Sequence, residues 1–484
     1  MNNIYKKLGI KIPEILMPTE GTDLTKWAVI ACDQYTSQPD YWQSVHEVTG
    51  QSPSTLKLIF PEIYLKEADR EIRINNINKT MEQYLEQGVL KSNKPGFILV
   101  DRSTPHTPSR KGLLLAVDLE CYDYSADSQS LIRATEGTVL DRIPPRVKIR
   151  ENAPIEVPHI MVLIDDPEKT VIEKLYARKD QYKKLYDFEL MQGGGHITGW
   201  KVEDEESLAM AAAALEELAR DAGDVSQIGD VSPKPLLFAV GDGNHSLASA
   251  KAHWENVKSS LKQHQQSQPS QSQLTEVSDA ICSIPEHPAR YALVEVVNVH
   301  DDGLVFEPIH RVVFGIDRAT IQRQLIEAAN RTHLYAEVQF FDSREAVDAA
   351  IEMTKACITT ANEGNIPSEG NIPLPHCIAF ILEGDYGLLT VKNPASSLEV
   401  GSLQTILDEF ANKISGDIEI DYIHGDHVVT ELGSKADTMG FFLPVMNKRD
   451  LFRTVKVDGV LPRKTFSMGE AEEKRYYLEC RRIR

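Results

Sequence analysis

Gly241-Asp242-Gly243-Asn244-His245-Ser246 joins an apolar run, "PLLFAV", to a helical one, "LASAKAHW". A simple turn needs one glycine. Here a carboxylate, an amide, an imidazole and a hydroxyl crowd the mouth of a helix. A helix N-terminus leaves several N–H groups unpaired and carries roughly half a positive charge, so it favours an anion. Gly241 and Gly243 would let backbone approach a ligand closely. Asn244, His245 and Ser246 offer side-chain donors to phosphoryl oxygens, and Asp242 can hold a divalent cation or accept a proton. The plainer reading is a turn capped by Asp242 or Asn244, which leaves His245 and Ser246 unexplained. No G-x-x-x-x-G-K-[ST] loop occurs in the chain.

A second stretch, "IRATEGTVLDRIPPRVKIRENAP" (132–154), gathers Arg133, Arg142, Arg146, Arg150 and Lys148 in a chain that is acidic overall. Arginine forks suit phosphate or carboxylate oxygens bidentately. Glu136, between Thr135, Gly137 and Thr138, is a carboxylate placed to take a proton from a substrate hydroxyl. The alternative is a solvated loop of ion pairs. In "MQGGGHITGW" three consecutive glycines are costly to order, which suggests a flap over a ligand with His196 at its tip, or a plain mobile hairpin. "FEPIHRVVF" sets His310 and Arg311 inside an apolar strand, where a buried arginine needs an anionic partner. Lys464 in "LPRKTF" is a further candidate cation. His424, Asp426 and His427 have no recognised zinc spacing. Asp33, Glu136, Asp242 and Asp426 all qualify as a general base.

The elements that must position these residues are strands and helices without strict alternation. "PGFILVDRS", "KGLLLAVDL" and "ARYALVEVV" read as strands, and "LPHCIAFILEGDYGLLTVK" as a hairpin. Residues 67–90 and "EESLAMAAAALEELARDAG" read as helices, and 168–190 as another, opened by Asp166-Pro167. "SSLKQHQQSQPSQSQLTE" (259–276) reads as a flexible insertion, and "EGNIPSEGNIP" (363–373) as a duplicated loop. The expectation is an α+β fold with mixed sheets and flanking helices. Its expected segments are an N-terminal region, 1–125, a core carrying the site, 126–320, and a C-terminal region, 321–484.

Whole-chain properties narrow the function. Among 484 residues, 72 acidic against 52 basic side chains give a formal charge of −20. That argues against general binding of nucleic acid or anionic membranes, because phosphate backbones are held by Lys and Arg. A small anionic substrate would need local cations or a metal. The 6 cysteines are scattered with no C-x-x-C pair, and no apolar leader or membrane-length run is evident. A cytoplasmic, reducing location is expected.

The motif "AVGDGNHSLASA" resembles that of a bacterial family of domains of unknown function, which carries a strand followed by A-D-G-H-H-R-Y-x-A-A. "SRKGLLLAVDLECYDY", "RATEGTVLDRIPPR", "EPIHRVVF" and "GVLPRKTFSMGEAEEKRYYLE" are similar to further family segments, in the family's order. The glycine-rich corner also resembles the phosphate-binding corner of the ParB/sulfiredoxin superfamily, which implies a core of that kind with large N- and C-terminal elaborations. One branch resembles pyrophosphate-dependent kinases of free L-serine. That implies L-serine + pyrophosphate → O-phospho-L-serine + phosphate, with Mg²⁺. On the residues themselves Glu136, Asp242 and His245 are the expected catalytic groups, Asp242 also the metal ligand. Gly241, Gly243, Asn244, Ser246, Arg133, Thr135, Thr138, Arg142, Arg150, His196, His310, Arg311 and Lys464 fall to phosphate and substrate. Departures stand at Asn244, where the family has one of two histidines, at Ser246 in place of arginine, and at Thr135 in place of histidine. Rival expectations are a nucleotide-dependent serine kinase, a phosphoserine phosphatase, and a non-catalytic sensor of a phosphorylated metabolite or nucleotide.

Overall fold

The computed structural model describes residues 2–65, 67–221, 235–266, 287–315, 318–363, 374–413 and 418–484. The chain divides into two compact units, 1–305 with 468–484, and 306–467.

The first unit is built on a ten-stranded mixed sheet. Its strands are β1 (Ile10–Lys11), β2 (Phe97–Ser103), β3 (Arg110–Asp118), β4 (Tyr122–Asp123), β5 (Ile132–Ala134), β6 (Met161–Ile164), β7 (Lys183–Glu189), β8 (His196–Val202), β9 (Phe238–Asp242) and β10 (Tyr291–Asn298). Their order is β7-β8-β2-β3-β10-β6-β9-β5-β4, with β1 on β3. Neighbours run antiparallel except β10–β6, β9–β5 and β5–β4. Successive strand residues face opposite sides, and both sides are covered. Phe97, Leu99, Leu113 and Leu115 join one apolar core, while Ile98, Val100 and Leu114 join the other. Double burial explains why these strands read as continuous apolar runs.

The helices used below are α1 (Pro39–Thr49), α2 (Arg70–Glu86), α3 (Ile143–Glu151), α4 (Glu205–Asp221) and α5 (Asn244–Gln266). The expected boundary at residue 125 falls between β4 and β5, which pair within this one sheet. Residues 168–190 form a short helix, Ile172–Tyr176, and a 3-10 turn, Lys179–Gln181, before edge strand β7. Asp166 does accept N–H groups, from Thr170 at 2.7 Å and Val171 at 2.9 Å, ahead of that short helix. The Gln/Ser-rich tract begins inside α5, which continues to Gln266; its remainder, 267–276, lies outside the described residues, as do 364–373 of the duplicated loop.

The second unit has a six-stranded sheet of β11 (His310–Phe314), β12 (Ala336–Phe341), β13 (His376–Leu382), β14 (Asp385–Val391), β15 (Glu419–Ile423) and β16 (Thr438–Phe442), in the order β12-β14-β13-β16-β11-β15. β13 and β14 form the expected hairpin. Ile378, Phe380 and Leu382 face one core and Cys377, Ala379 and Ile381 the other. Helix α6 (Asp426–Gly433) packs beside β16. Both units mix helices and sheet as an α+β fold, as expected.

Candidate active site

β9 is buried and runs parallel to β5, with Ala239 opposite Arg133 and Val240 opposite Ala134. This register brings the two polar segments side by side. The Thr135 hydroxyl donates to the Val240 carbonyl at 2.5 Å, so half-buried Glu136 follows directly beside the end of β9. Gly243 adopts φ +78°, a left-handed turn that favours glycine. Gly241 has a different reason: a Cβ there would lie 2.6 Å from Sδ of Met468 and 3.0 Å from Cγ of Leu163. Close packing, where ligand approach was expected, explains that glycine.

Asp242 is divided between two partners. One carboxylate oxygen accepts the Gly243 N–H at 2.8 Å, and the other lies 3.6 Å from Nζ of Lys474. Helix α5 starts immediately after, its first turn closed by Leu247 N–H on the Gly243 carbonyl. Asn244 is buried, and its Oδ1 is without a partner among the described atoms. Nε2 of His245 accepts the Val139 N–H at 3.2 Å. That bond leaves the ring proton on Nδ1 and ties the segment after Glu136 to the helix start. Thr138, one residue before, has a buried hydroxyl without a partner.

Ser246 opens a chain of side chains that the sequence did not reveal. Its hydroxyl lies 3.3 Å from Nε2 of His159, whose Nδ1 lies 2.8 Å from the Tyr477 hydroxyl. The Tyr477 oxygen accepts the Cys32 N–H at 3.2 Å. In the charged ring Nδ1–H points at the Tyr477 oxygen and Nε2–H at Ser246. Asp33 sits next to Cys32 and accepts Gln34 Nε2 at 3.0 Å. Burial pushes its carboxyl up, but the charges of His159 and Lys474 and the Gln34 hydrogen bond prevail and hold it below the ordinary range. Asp33 is thus an anion beside a cation, as Asp242 is.

A cavity of about 140 Å³ opens here, walled by Glu62, Arg146, Arg150, His159, Ser246 and Tyr477 among others. Arg146 and Arg150 are one turn apart on α3 and share a face. Arg146 pairs with Glu62, and Arg150 with Glu156.

Other expected site residues lie elsewhere. Buried Arg133 gives Nε to the Ser130 carbonyl at 2.8 Å. The side chain of Arg142 lies outside the described residues. His196 is not at a loop tip. It begins β8 opposite Glu189, with Nδ1 2.8 Å from Glu189 and Nε2 2.6 Å from Asp187. Nor do the three glycines form a loose flap: a Cβ on Gly194 would stand 2.3 Å from the Tyr476 hydroxyl, and one on Gly195 2.0 Å from the Ser103 carbonyl. Gly194 and Gly195 are glycines because other groups press on them, whereas Gly193 faces open space at φ +73°.

His310, Arg311 and Lys464 belong to the second unit. His310 accepts Leu443 N–H at Nδ1, 3.0 Å, and meets Asp426 at Nε2, 2.9 Å. Arg311 donates to the carbonyls of Lys464 at 2.9 Å and Arg463 at 3.1 Å. Backbone carbonyls thus accept from both terminal nitrogens of the guanidinium. Lys464 is exposed with φ +58°.

Sequence reasoning missed His159, Lys474 and Tyr477 altogether, and left Asp33 as one carboxylate among four. Three of them stand beside apolar or small residues, "ACDQ", "VPHIM" and "KRYYLE", the one local signal available.

The fold and site define a mixed α+β protein with a strand–turn–helix corner at the end of β9. Residues 16–410 match the family described as "Protein of unknown function (DUF1015)", and the chain belongs to that family. No curated protein matches the sequence. Solved structures show distant likeness. A free serine kinase in complex with AMP has 10% identity and TM-score 0.35, covering 76% of this chain and 92% of that one. A conserved hypothetical protein from Pyrococcus furiosus has 12% and 0.31, covering 75% and 90%. SbnI with C-terminal truncation from Staphylococcus aureus has 9% and 0.33, covering 74% and 82%.

Proposed function

We propose that the protein is a phosphotransferase that makes O-phospho-L-serine from L-serine, with inorganic pyrophosphate as donor and phosphate as co-product. The observation that carries this reading is convergence. At the end of β9 Asp242 is paired with Lys474, and along the start of α5 Ser246 reaches His159 and Tyr477, three side chains that line one small cavity with Glu62, Arg146 and Arg150. Phosphoryl transfer asks a protein mainly for positioning and charge stabilisation, and these groups supply both. The resemblance of the corner to ParB/sulfiredoxin-like phosphate sites points the same way.

In this reading the N–H groups of Asn244, His245 and Ser246 hold the donor, and Lys474 offsets charge at the transferring group. The serine hydroxyl oxygen attacks phosphorus, its proton passes to the Glu136 carboxylate, and the bridging P–O bond breaks to release phosphate. Among the described residues no group of three or more His, Cys, Asp and Glu is arranged to hold a metal. Mg²⁺ is commonly held by one or two carboxylates plus substrate phosphates, and Asp242 would be the carboxylate that holds it. Bound there, Mg²⁺ would neutralise phosphate charge.

Phosphorus NMR of the protein with Mg²⁺ and L-serine, offering pyrophosphate, ATP and ADP in separate tubes, tests the reading. Phosphoserine from pyrophosphate alone is expected. Phosphoserine from a nucleotide alone would replace the donor, and none from any tube would remove the function.

A further inference from the structure

The Glu62–Arg146 ion pair stands in a wall shared by two cavities. On one side is the 140 Å³ cavity with His159 and Ser246. On the other is a cavity of about 490 Å³ bordered by Thr36, Ser37, Arg70 and Asp141 as well as the pair itself. Arg146 projects from α3, and Glu62 begins a short turn, Glu62–Tyr64. Their side chains keep only 16% and 18% exposure. Burial pushes the Glu62 carboxyl up, Arg146 opposes this, and the charge of Asp33 adds to it. Arg150, one turn on, differs: its partner Glu156 is buried and also holds Arg481 at 2.7 Å. Glu156 lines the smaller cavity as well, but of these two pairs Glu62–Arg146 is the one that borders both cavities.

A preformed pair of opposite charges is complementary to a ligand that carries both charges on one carbon. Such a zwitterion can insert between them, replacing one ion pair by two without adding net charge to the enclosed site. A phosphate could not, because it would meet the carboxylate of Glu62. We propose that Glu62 and Arg146 select an α-amino acid as acceptor. Arg146 takes the α-carboxylate and Glu62 the α-ammonium, with the ligand arriving through the larger cavity. The identity of the acceptor as a phosphoryl acceptor rests on the proposed function.

The test is calorimetric titration of the whole protein, without donor, using L-serine, 3-hydroxypropionate (no ammonium) and ethanolamine (no carboxylate). Wild type should bind L-serine most tightly. Glu62→Gln should weaken L-serine about 10- to 100-fold while leaving 3-hydroxypropionate within about twofold. Arg146→Gln should weaken L-serine similarly and leave ethanolamine within about twofold. Arg146→Lys, which retains the charge, should restore part of the affinity, and thermal unfolding checks each fold. Equal weakening of all three ligands, or no preference for L-serine in wild type, would overturn the assignment. The expected binding pattern without phosphoserine from any donor would keep the pair and discard the phosphotransfer. Phosphoserine formed with unchanged serine affinity in both variants would discard the pair and keep the reaction.

Discussion

The Tyr477 hydroxyl lies 2.8 Å from Nδ1 of His159 while accepting the Cys32 N–H at 3.2 Å, so one oxygen holds both the imidazole ring and a backbone turn. Tyr477→Phe removes that oxygen and leaves two buried groups unpaired. The variant should lose about 1–3 kcal/mol in denaturant unfolding. Nitrogen NMR of the His159 ring should show a changed spectrum. An unchanged ring spectrum would mean that Tyr477 does not hold the ring.

Glu136→Gln should fold normally and lower turnover by about 10²–10⁴-fold, as expected for a lost general base. Steady-state kinetics with pyrophosphate and L-serine checks this, with Asp33→Asn measured in parallel. Turnover of Glu136→Gln within about twofold of wild type would move the base to Asp33.

Asp33 predicts a pH dependence with a defined sign. Its folded-state pKa lies below the unfolded one. The stability it contributes is therefore fully present above the unfolded value and is lost as pH falls through the folded value. Lys474→Met removes one of the charges that hold Asp33 down. The variant should be less stable than wild type at neutral pH, and the gap should narrow as pH falls below about 4. Unfolding free energies across that range decide it. A gap constant down to acid pH would show that Lys474 acts by packing alone.

Two glycines should respond differently to alanine. At Gly195 the added Cβ would lie 2.0 Å from a backbone oxygen, at φ +79°. Backbone cannot step aside, so Gly195→Ala should cost about 1–3 kcal/mol or more. At Gly241 the nearest atom is the sulfur of Met468 at 2.6 Å, the end of a flexible side chain. Gly241→Ala should be the milder change in a melting comparison, and equal losses would contradict this.

The β9–turn–α5 join was legible in the sequence because its signals are local: an apolar run, a glycine at a left-handed turn, and helical periodicity. The doubly covered strands were legible for the same reason. What escaped depends on residues far apart in the chain. His159, Lys474 and Tyr477 acquire meaning only when β6 and the C-terminal segment are brought to the end of β9. The glycine triplet misled because flexibility and tight packing both call for glycine, and only Tyr476 and Ser103 in place distinguish them. Arg311 was harder to place, since carbonyls accept from its two terminal nitrogens and such partners leave no trace in sequence pattern.

The return of residues 468–484 to the first unit also sets a timetable. Lys474 and Tyr477 leave the ribosome only after all of 306–467, which at cellular rates takes roughly ten to thirty seconds to make. Throughout that interval the nascent first unit has the glycine-rich corner and His159, but neither the cation beside Asp242 nor the hydroxyl on His159. Acquisition of a finished site is thereby coupled to synthesis of the second unit.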